Sequence, residues 1–349
     1  MNFAETVSFI AQSLSLYYSD HNLECVKNWI DHEKVDWEAV VKVSTQHYVL
    51  PALYANLKKA DLVSLLPEDL VAYMQYISKL NMERNDEIIK QCLDIKDLFQ
   101  KHDLDPVFLK GTGLLLGKEE LKHYRMLADI DILLPKDQNA QAYQLLQKNG
   151  YYTNKKITDI PTERHRPRLV HENYIASVEI HDEVLRTPND RYLSGATVID
   201  RRFRKSDINL PHLDDQLALA IASSQINDFG HDRRTISLKT MNDVLILKSR
   251  GAQLEMENHS LGKVLNNYIS FVSEISKIKL EYHRNADTQL YLEEMRKILT
   301  DEKFREKQSK AAQKELYFKT RLGIIPKAIR NKEYRKWLWE RLKVGNRVN

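Results

Sequence analysis

Cysteine is almost missing from this chain. Two occur in 349 residues, Cys25 and Cys92, both inside helical patterns and far from any C-x-x-C spacing. That excludes a disulfide framework and a cysteine-built zinc site, and each is read as a small buried hydrophobe. Long apolar runs are missing too. No stretch approaches the ~20 apolar residues of a membrane span, and the amino terminus carries no basic segment followed by an apolar run. The expectation is a cytoplasmic protein with no membrane partner. No internal repeat and no low-complexity linker divides the chain.

What is present is ordinary globular composition. With 42% hydrophobic residues the chain can bury real cores, and its length suits two or three domains. Net charge is only +4 but is unevenly placed: residues 301–349 hold 15 Lys/Arg against 6 Asp/Glu, which leaves 38 against 43 for residues 1–300. A basic tail fits an acidic or nucleic-acid partner, and equally a solvated lysine-rich helix. Tyr334, Trp337 and Trp339 within it suit RNA, or a helix packed by its aromatics.

Three regions follow from the periodicity. Residues 1–103 read as helical: Met1–Tyr18, Leu23–Ile30, Asp36–Gln46 with Asp36 as cap, a helix opening near Pro51, and a long one from about Pro67 to His102. Residues 104–210 read as a small mixed α/β core. It comprises a strand at Val107–Leu109, a glycine turn into a helix, an acidic strand near Asp129–Leu134, a helix over Gln138–Asn149 ended by Gly150, a strand at Tyr151–Thr153, and a hairpin pairing His171–Tyr174 with Ser177–His181. Residues 211–349 return to helices: Leu213–Ile226, Leu238–Lys248, Leu261–Lys277, an unbroken pattern over Asp287–Leu322 that Gly323 and Pro326 interrupt, and a last helix at Asn331–Leu342.

One stretch combines a glycine turn with paired acids. Lys110-Gly111-Thr112-Gly113 joins strand to helix, where backbone N–H groups can bind phosphate oxygens, with Thr112 adding a hydroxyl and Lys110 a charge. Glycine at such a turn also serves backbone geometry alone. Asp129 and Asp131 alternate with Ile130 and Ile132, so their side chains share one strand face with roughly 7 Å between Cα atoms. Glu179, between Val178 and Ile180 on a second strand, offers a third carboxylate. Hard cations such as Mg2+ or Mn2+ prefer oxygen donors of this kind, and two metals with a phosphate-gripping turn describe phosphoryl or nucleotidyl transfer. Arg125 is placed to reach a phosphate or to brace the acids. His181 shares the strand face of Glu179 and can orient an acid, touch phosphate, or serve structure alone. Arg164, His165, Arg166, Arg168 and His171 form a basic stretch that either meets substrate or is a solvated loop. Arg201–Lys205 and Arg233–Arg234 are also basic and receive no role.

Lys110-Gly111-Thr112, Arg125 and Asp129-Ile130-Asp131-Ile132-Leu133 resemble the signature of the polymerase-β-like nucleotidyltransferase superfamily. Asp36–His47, Pro51–Tyr54, Asn85–Leu98, Gly150-Tyr151, Glu179–His181 and Asn242-Asp243 are similar in order and spacing to its bacterial branch of uncharacterised nucleotidyltransferases, over about residues 30–250. The resemblance implies an α+β fold, a small mixed-sheet nucleotidyltransferase core between helical blocks. It also implies transfer of a nucleoside monophosphate from an NTP such as ATP to RNA, protein or a small-molecule hydroxyl. In that scheme Asp129, Asp131 and Glu179 hold the metals, Gly111 and Thr112 hold the triphosphate, and Lys110, Arg125 and His181 face the nucleotide. Two features depart from the pattern: sixteen residues, 113–128, separate Thr112 from Asp129, and the third acid is Glu rather than Asp. Two other readings stay open, a noncatalytic helical scaffold retaining the fold and an Asp-x-Asp glycosyltransferase. The latter predicts an alternating strand and helix domain ahead of the motif.

Overall fold

The computed structural model describes residues 1–32, 34–153, 164–254, 256 and 259–345. Ahead of the first strand the described chain is helical: α1 (Phe3–Ser13), α2 (Asp20–Asp31), α3 (Trp37–Gln46), α4 (Leu50–Lys59) and the long α5 (Glu68–Gln100). Asp36 caps α3 by accepting the Ala39 amide at 3.0 Å, and Pro51 sits in the first turn of α4, where its missing N–H costs nothing. The helix expected over Met1–Tyr18 is shorter. It stops at Ser13, because the Ser15 hydroxyl turns back onto the Ala11 and Gln12 carbonyls, and a 3-10 turn follows over Leu16–Tyr18.

The α/β core then runs β1 (Val107–Phe108), α6 (Lys110–Gly117), β2 (Asp129–Leu133), α7 (Asn139–Lys148), β3 (Tyr152–Thr153), β4 (Leu169–Val170), β5 (Ser177–His181), α8 (Gly195–Asp200), β6 (Phe203–Lys205) and β7 (Ile208–Leu210). Its strands form a mixed sheet in the order β3-β4-β5-β2-β1-β7-β6. β2 is parallel to β5 and antiparallel to β1. Ile130, Ile132, Val178 and Ile180 point to one face and are fully buried there, as period-two alternation requires. The hairpin differs from expectation. Its first arm is β4, with Leu169 opposite Val178, while His171–Tyr174 forms the turn. His171 is held in that turn by close approach to Gly150, whose φ of +88° suits glycine and where an added Cβ would lie 2.8 Å from the imidazole.

Helix α5 bolts the sheet in place through polar side chains. Gln91 donates to the Ala176 carbonyl at 3.0 Å and accepts its amide at 3.2 Å, fixing the start of β5. Asn85 donates to the carbonyls of Lys122 and Arg125, and Arg84 to that of Leu127, fixing the loop that feeds β2. Such bonds satisfy buried loop carbonyls that have no ladder partner.

The remaining chain is helical: α9 (Leu213–Ala222) running into a π-helical turn at Ser223–Asn227, α10 (Gly230–Arg233), α11 (Leu238–Ser249), α12 (Ser260–Ser276), α13 (Ala286–Thr300), α14 (Glu302–Arg330) and α15 (Lys332–Gly345). The unbroken pattern expected over Asp287–Leu322 is two helices. Asp301 leaves the helical conformation and caps α14 by accepting the Phe304 amide at 2.9 Å. Gly323 and Pro326, expected to interrupt, lie inside α14. Burial of Ile324 and Ala328 against Tyr334 and Trp337 offsets the lost Pro326 hydrogen bond. Trp339 is instead 63% exposed. α1 packs on α12 and α13, so a single buried cluster runs from Val7 through β2 to Ile298. Among the described residues no helix is long and apolar enough to cross a membrane.

α6 backs tightly onto β1. A Cβ on Gly113 would stand 2.4 Å from the Phe108 carbonyl oxygen, which is backbone and cannot swing aside. Gly113→Ala is therefore expected to destabilise the protein by about 1–3 kcal/mol, read as a lower urea midpoint with unchanged slope. A midpoint equal to wild type would refute the close approach.

Candidate active site

The parallel register of β2 and β5 sets Asp131 directly opposite Glu179 and Leu133 opposite His181. Residues two apart share a strand face, so Asp129, Asp131, Glu179 and His181 converge. Asp131 is 2% exposed, Glu179 5% and His181 0%. One ligand atom from each of these three lies within 4.8 Å of the others, a group able to hold a metal ion. Asp129 stands beside that group at the rim, half-buried.

Buried carboxylates repel one another and resist ionisation unless cations face them. Lys110 Nζ donates to Asp131 Oδ1 at 2.6 Å. Burial pushes the Asp131 carboxyl up, but Lys110 and the hydrogen bond from His181 outweigh it and hold the group well below the usual carboxylate range. Arg168 donates to Glu179 Oε1 through Nε at 2.9 Å and Nη2 at 2.5 Å, and Nη2 stands 3.6 Å from Asp129 Oδ2. Glu179 is likewise lowered: burial acts against it, while His165 and Arg168 prevail. Asp129, with no such close donor, is raised by burial and by Asp131. The basic stretch before the hairpin thus brings Arg168, still exposed along its outer side, onto the acids.

His181 Nε2 lies 2.6 Å from Asp131 Oδ1, and its Nδ1 lies 3.3 Å from Arg164 Nη1 and 3.3 Å from the Glu183 carbonyl. A guanidinium only donates. Nδ1 therefore accepts from Arg164, and a neutral His181 donates its Nε2–H to Asp131. Burial and Lys110 depress the imidazole to about 4 despite Asp131.

The glycine turn works differently from expectation. The left-handed residue is Lys110, with φ +48°, a conformation that costs a side-chain-bearing residue of order 1 kcal/mol and that aims Lys110 at Asp131. Gly111 serves close approach: a Cβ there would lie 1.9 Å from Arg125 Nη1. Thr112 is buried, and its hydroxyl donates to the Asp129 carbonyl at 3.1 Å. Arg125, 6% exposed, forks onto Asp243 of α11, with Nε to Oδ1 at 2.7 Å and Nη2 to Oδ2 at 2.8 Å. Burial opposes the Arg125 charge, and Asp243 more than restores it. Asp243 had no role from sequence; the only signal was its place in the Asn242-Asp243 segment.

These groups open on a cavity of about 720 Å³ between the sheet and the C-terminal helices, bordered by Lys110, Asp129, Glu179, Asp243, Lys239 and, from the N-terminal block, Tyr48. The volume suits a nucleotide-sized ligand.

Two outcomes follow. Asp243→Ala strands a buried guanidinium and is expected to cost about 3–5 kcal/mol, measured by chemical denaturation; a loss under 1 kcal/mol, roughly that of a surface pair, would contradict the buried fork. For His181, the folded value near 4 lies below the unfolded value of about 6.5. Between these the unfolded chain binds the extra proton, so this contribution is present above pH ~6.5 and lost as pH falls towards 4. The stability advantage of wild type over His181→Gln should shrink between pH 7 and pH 5; a constant difference would mean that folding leaves the imidazole pKa unshifted, and a growing one that the imidazole is charged in the fold.

The family model for uncharacterised nucleotidyltransferases matches residues 33–262, which takes in the α/β core, most of the helices ahead of it and α11. No curated protein matches the chain. The α+β core between helical flanks agrees with the match, and the chain belongs to the uncharacterised nucleotidyltransferase family.

Proposed function

We propose that this protein transfers a nucleoside monophosphate from an NTP to an acceptor hydroxyl, with Mg2+ or Mn2+ held by Asp129, Asp131 and Glu179 and with His181 at hand. The observation that carries the reading is the in-register pairing that faces Asp131 with Glu179 at the floor of a nucleotide-sized cavity, in a chain of this family. The donor set fits such a cation. Lys110 and His181 both use Oδ1 of Asp131, and Arg168 uses Oε1 of Glu179, which leaves Oδ2 and Oε2 without hydrogen bonds among the described residues. Both carboxyls are held ionised, as hard-cation ligands must be. For His181 to ligate through Nε2, its proton moves to Nδ1, where the Glu183 carbonyl can accept it.

When bound, the metal polarises phosphate oxygens and lowers the pKa of an attacking hydroxyl. The chain's own contribution is positioning. Lys110, in its left-handed turn, and Arg168 keep Asp131 and Glu179 ionised and aimed into the cavity, with Asp129 beside them at the rim. The acceptor oxygen forms a bond to the α-phosphorus, the bond to the β-phosphate breaks, and pyrophosphate leaves. The acceptor proton departs towards Glu179. Lys110, Gly111 and Arg125 form the wall on the nucleotide side, with Thr112 and His181 buried beside it, where Gly111 and Thr112 act through packing as well as through any phosphate contact.

The test is incubation of the protein with each labelled NTP, Mg2+ or Mn2+, and a cell extract, scoring label in RNA, protein and small-molecule fractions. Asp129→Asn and Asp131→Asn are each expected to lower transfer by about a hundredfold or more while the far-ultraviolet circular dichroism is unchanged. Full transfer in both variants would sink the mechanism. A folded wild type that labels nothing with any NTP would favour a noncatalytic scaffold.

A further inference from the structure

Each nucleotide-facing residue expected from the motif is already engaged within the protein. Lys110 is tied to Asp131, Arg125 to Asp243, the Thr112 hydroxyl to the strand backbone, and Gly111 is covered by Arg125. A polyphosphate tail, with three to four negative charges, needs cations that are not spent in this way. Among the described residues two border the cavity. Lys239, in the first turn of α11, makes no hydrogen bond or ion pair among them; the ring of Tyr48 lies 5.9 Å from its Nζ, and Asp243 and Asp129 attract it from further off. Arg233, at the end of α10, has no ion pair, and its Nε is buried without a hydrogen-bond partner among the described residues.

Lys239 is poorly placed for a cation: the Arg125 guanidinium and burial disfavour its charge more than Asp243 and Asp129 favour it, and it stands at a helix N-terminus. Arg233 is presented by a braced and strained segment. Phe229 and Arg234 on either side of α10 are both left-handed, at φ +59° and +54°, and a Cβ on Gly230 would lie 2.5 Å from the Ser224 carbonyl oxygen in the π-helical turn. Arg234 pins the segment by donating to the His231 carbonyl and, at 2.6 Å, to Glu294, while His231 stacks on Tyr291. Strained backbone and π-helical turns that persist at a cavity wall point to a ligand that uses them.

We infer that Lys239 and Arg233, which line the same cavity as the acids, bind the polyphosphate tail of the nucleotide and so hold the pyrophosphate that leaves. This rests on the nucleotidyl-transfer reading for the identity of the nucleotide, but the anion subsite has its own test. Tripolyphosphate without metal is titrated calorimetrically into the full-length wild type, Lys239→Gln, Arg233→Gln, Lys239→Arg and Asp131→Asn, followed by NTP and the matching NMP with Mg2+. The expected result is tripolyphosphate binding that weakens about tenfold or more in each Gln variant. It should persist in Lys239→Arg and Asp131→Asn, and in the two Gln variants NTP but not NMP affinity should fall in parallel. Lys239→Gln should melt at or above the wild-type temperature, since no ion pair is lost, and the two Gln variants are read separately so that misfolding of one leaves the other. Wild-type NTP affinity in both Gln variants would overturn the subsite and leave the transfer reading standing. Tripolyphosphate binding lost in the Gln variants of a protein that transfers no nucleotide would support the subsite and remove the transfer reading. A wild type that binds neither tripolyphosphate nor NTP would overturn both.

Discussion

The structure depends on burying two acids side by side with a third at their rim. The parallel pairing of β2 with β5 forces Asp131 and Glu179 together, with Asp129 at the rim, in a place where water does not screen their repulsion. Such an arrangement persists only with compensating charge. Lys110 and Arg168 supply it, and the neutral His181 adds a hydrogen bond; each comes from a different segment: the turn after β1, the approach to β4, and β5 itself. The neutral state of His181 is set by burial and Lys110, and its tautomer by Arg164.

A second constraint ties this core to the helices. The Arg125 guanidinium lies where a Gly111 side chain would be, and its fork reaches Asp243 on α11. One interaction thus fixes the glycine turn, the loop entering β2 and the helical wall of the cavity at once. From the other side, Asn85, Arg84 and Gln91 of α5 satisfy the carbonyls of that loop and of the start of β5. The flanking helices are therefore part of the site's geometry. What they leave unsatisfied, Lys239 and Arg233, is as informative as what they satisfy.

Legibility from sequence followed the range of the interaction. Asp36 as a cap, Pro51 in a first turn, Gly150 at a helix end and the Ile/Asp alternation of β2 are local, and periodicity with capping chemistry exposes them. Misreadings arose where tertiary burial competes with local preference. Pro326 sits within α14 because Ile324 and Ala328 pack on Tyr334 and Trp337, and His171 turns instead of pairing because it fills the space at Gly150. The lysine-rich tail followed its composition in part, with Trp337 packed and Trp339 exposed.

The sequence by itself determined the family, the α+β character, and the strand faces that Asp129 shares with Asp131 and Glu179 with His181, because strand alternation and motif spacing are properties of neighbouring residues. The tertiary structure decided which cations meet them. Arg125 with Asp243, Arg168 with Glu179 and Lys110 in a left-handed turn are pairings across 118, 11 and 21 positions of chain. No local pattern specifies such pairings, since a charge selects its partner by distance and burial in the folded state and not by separation along the chain.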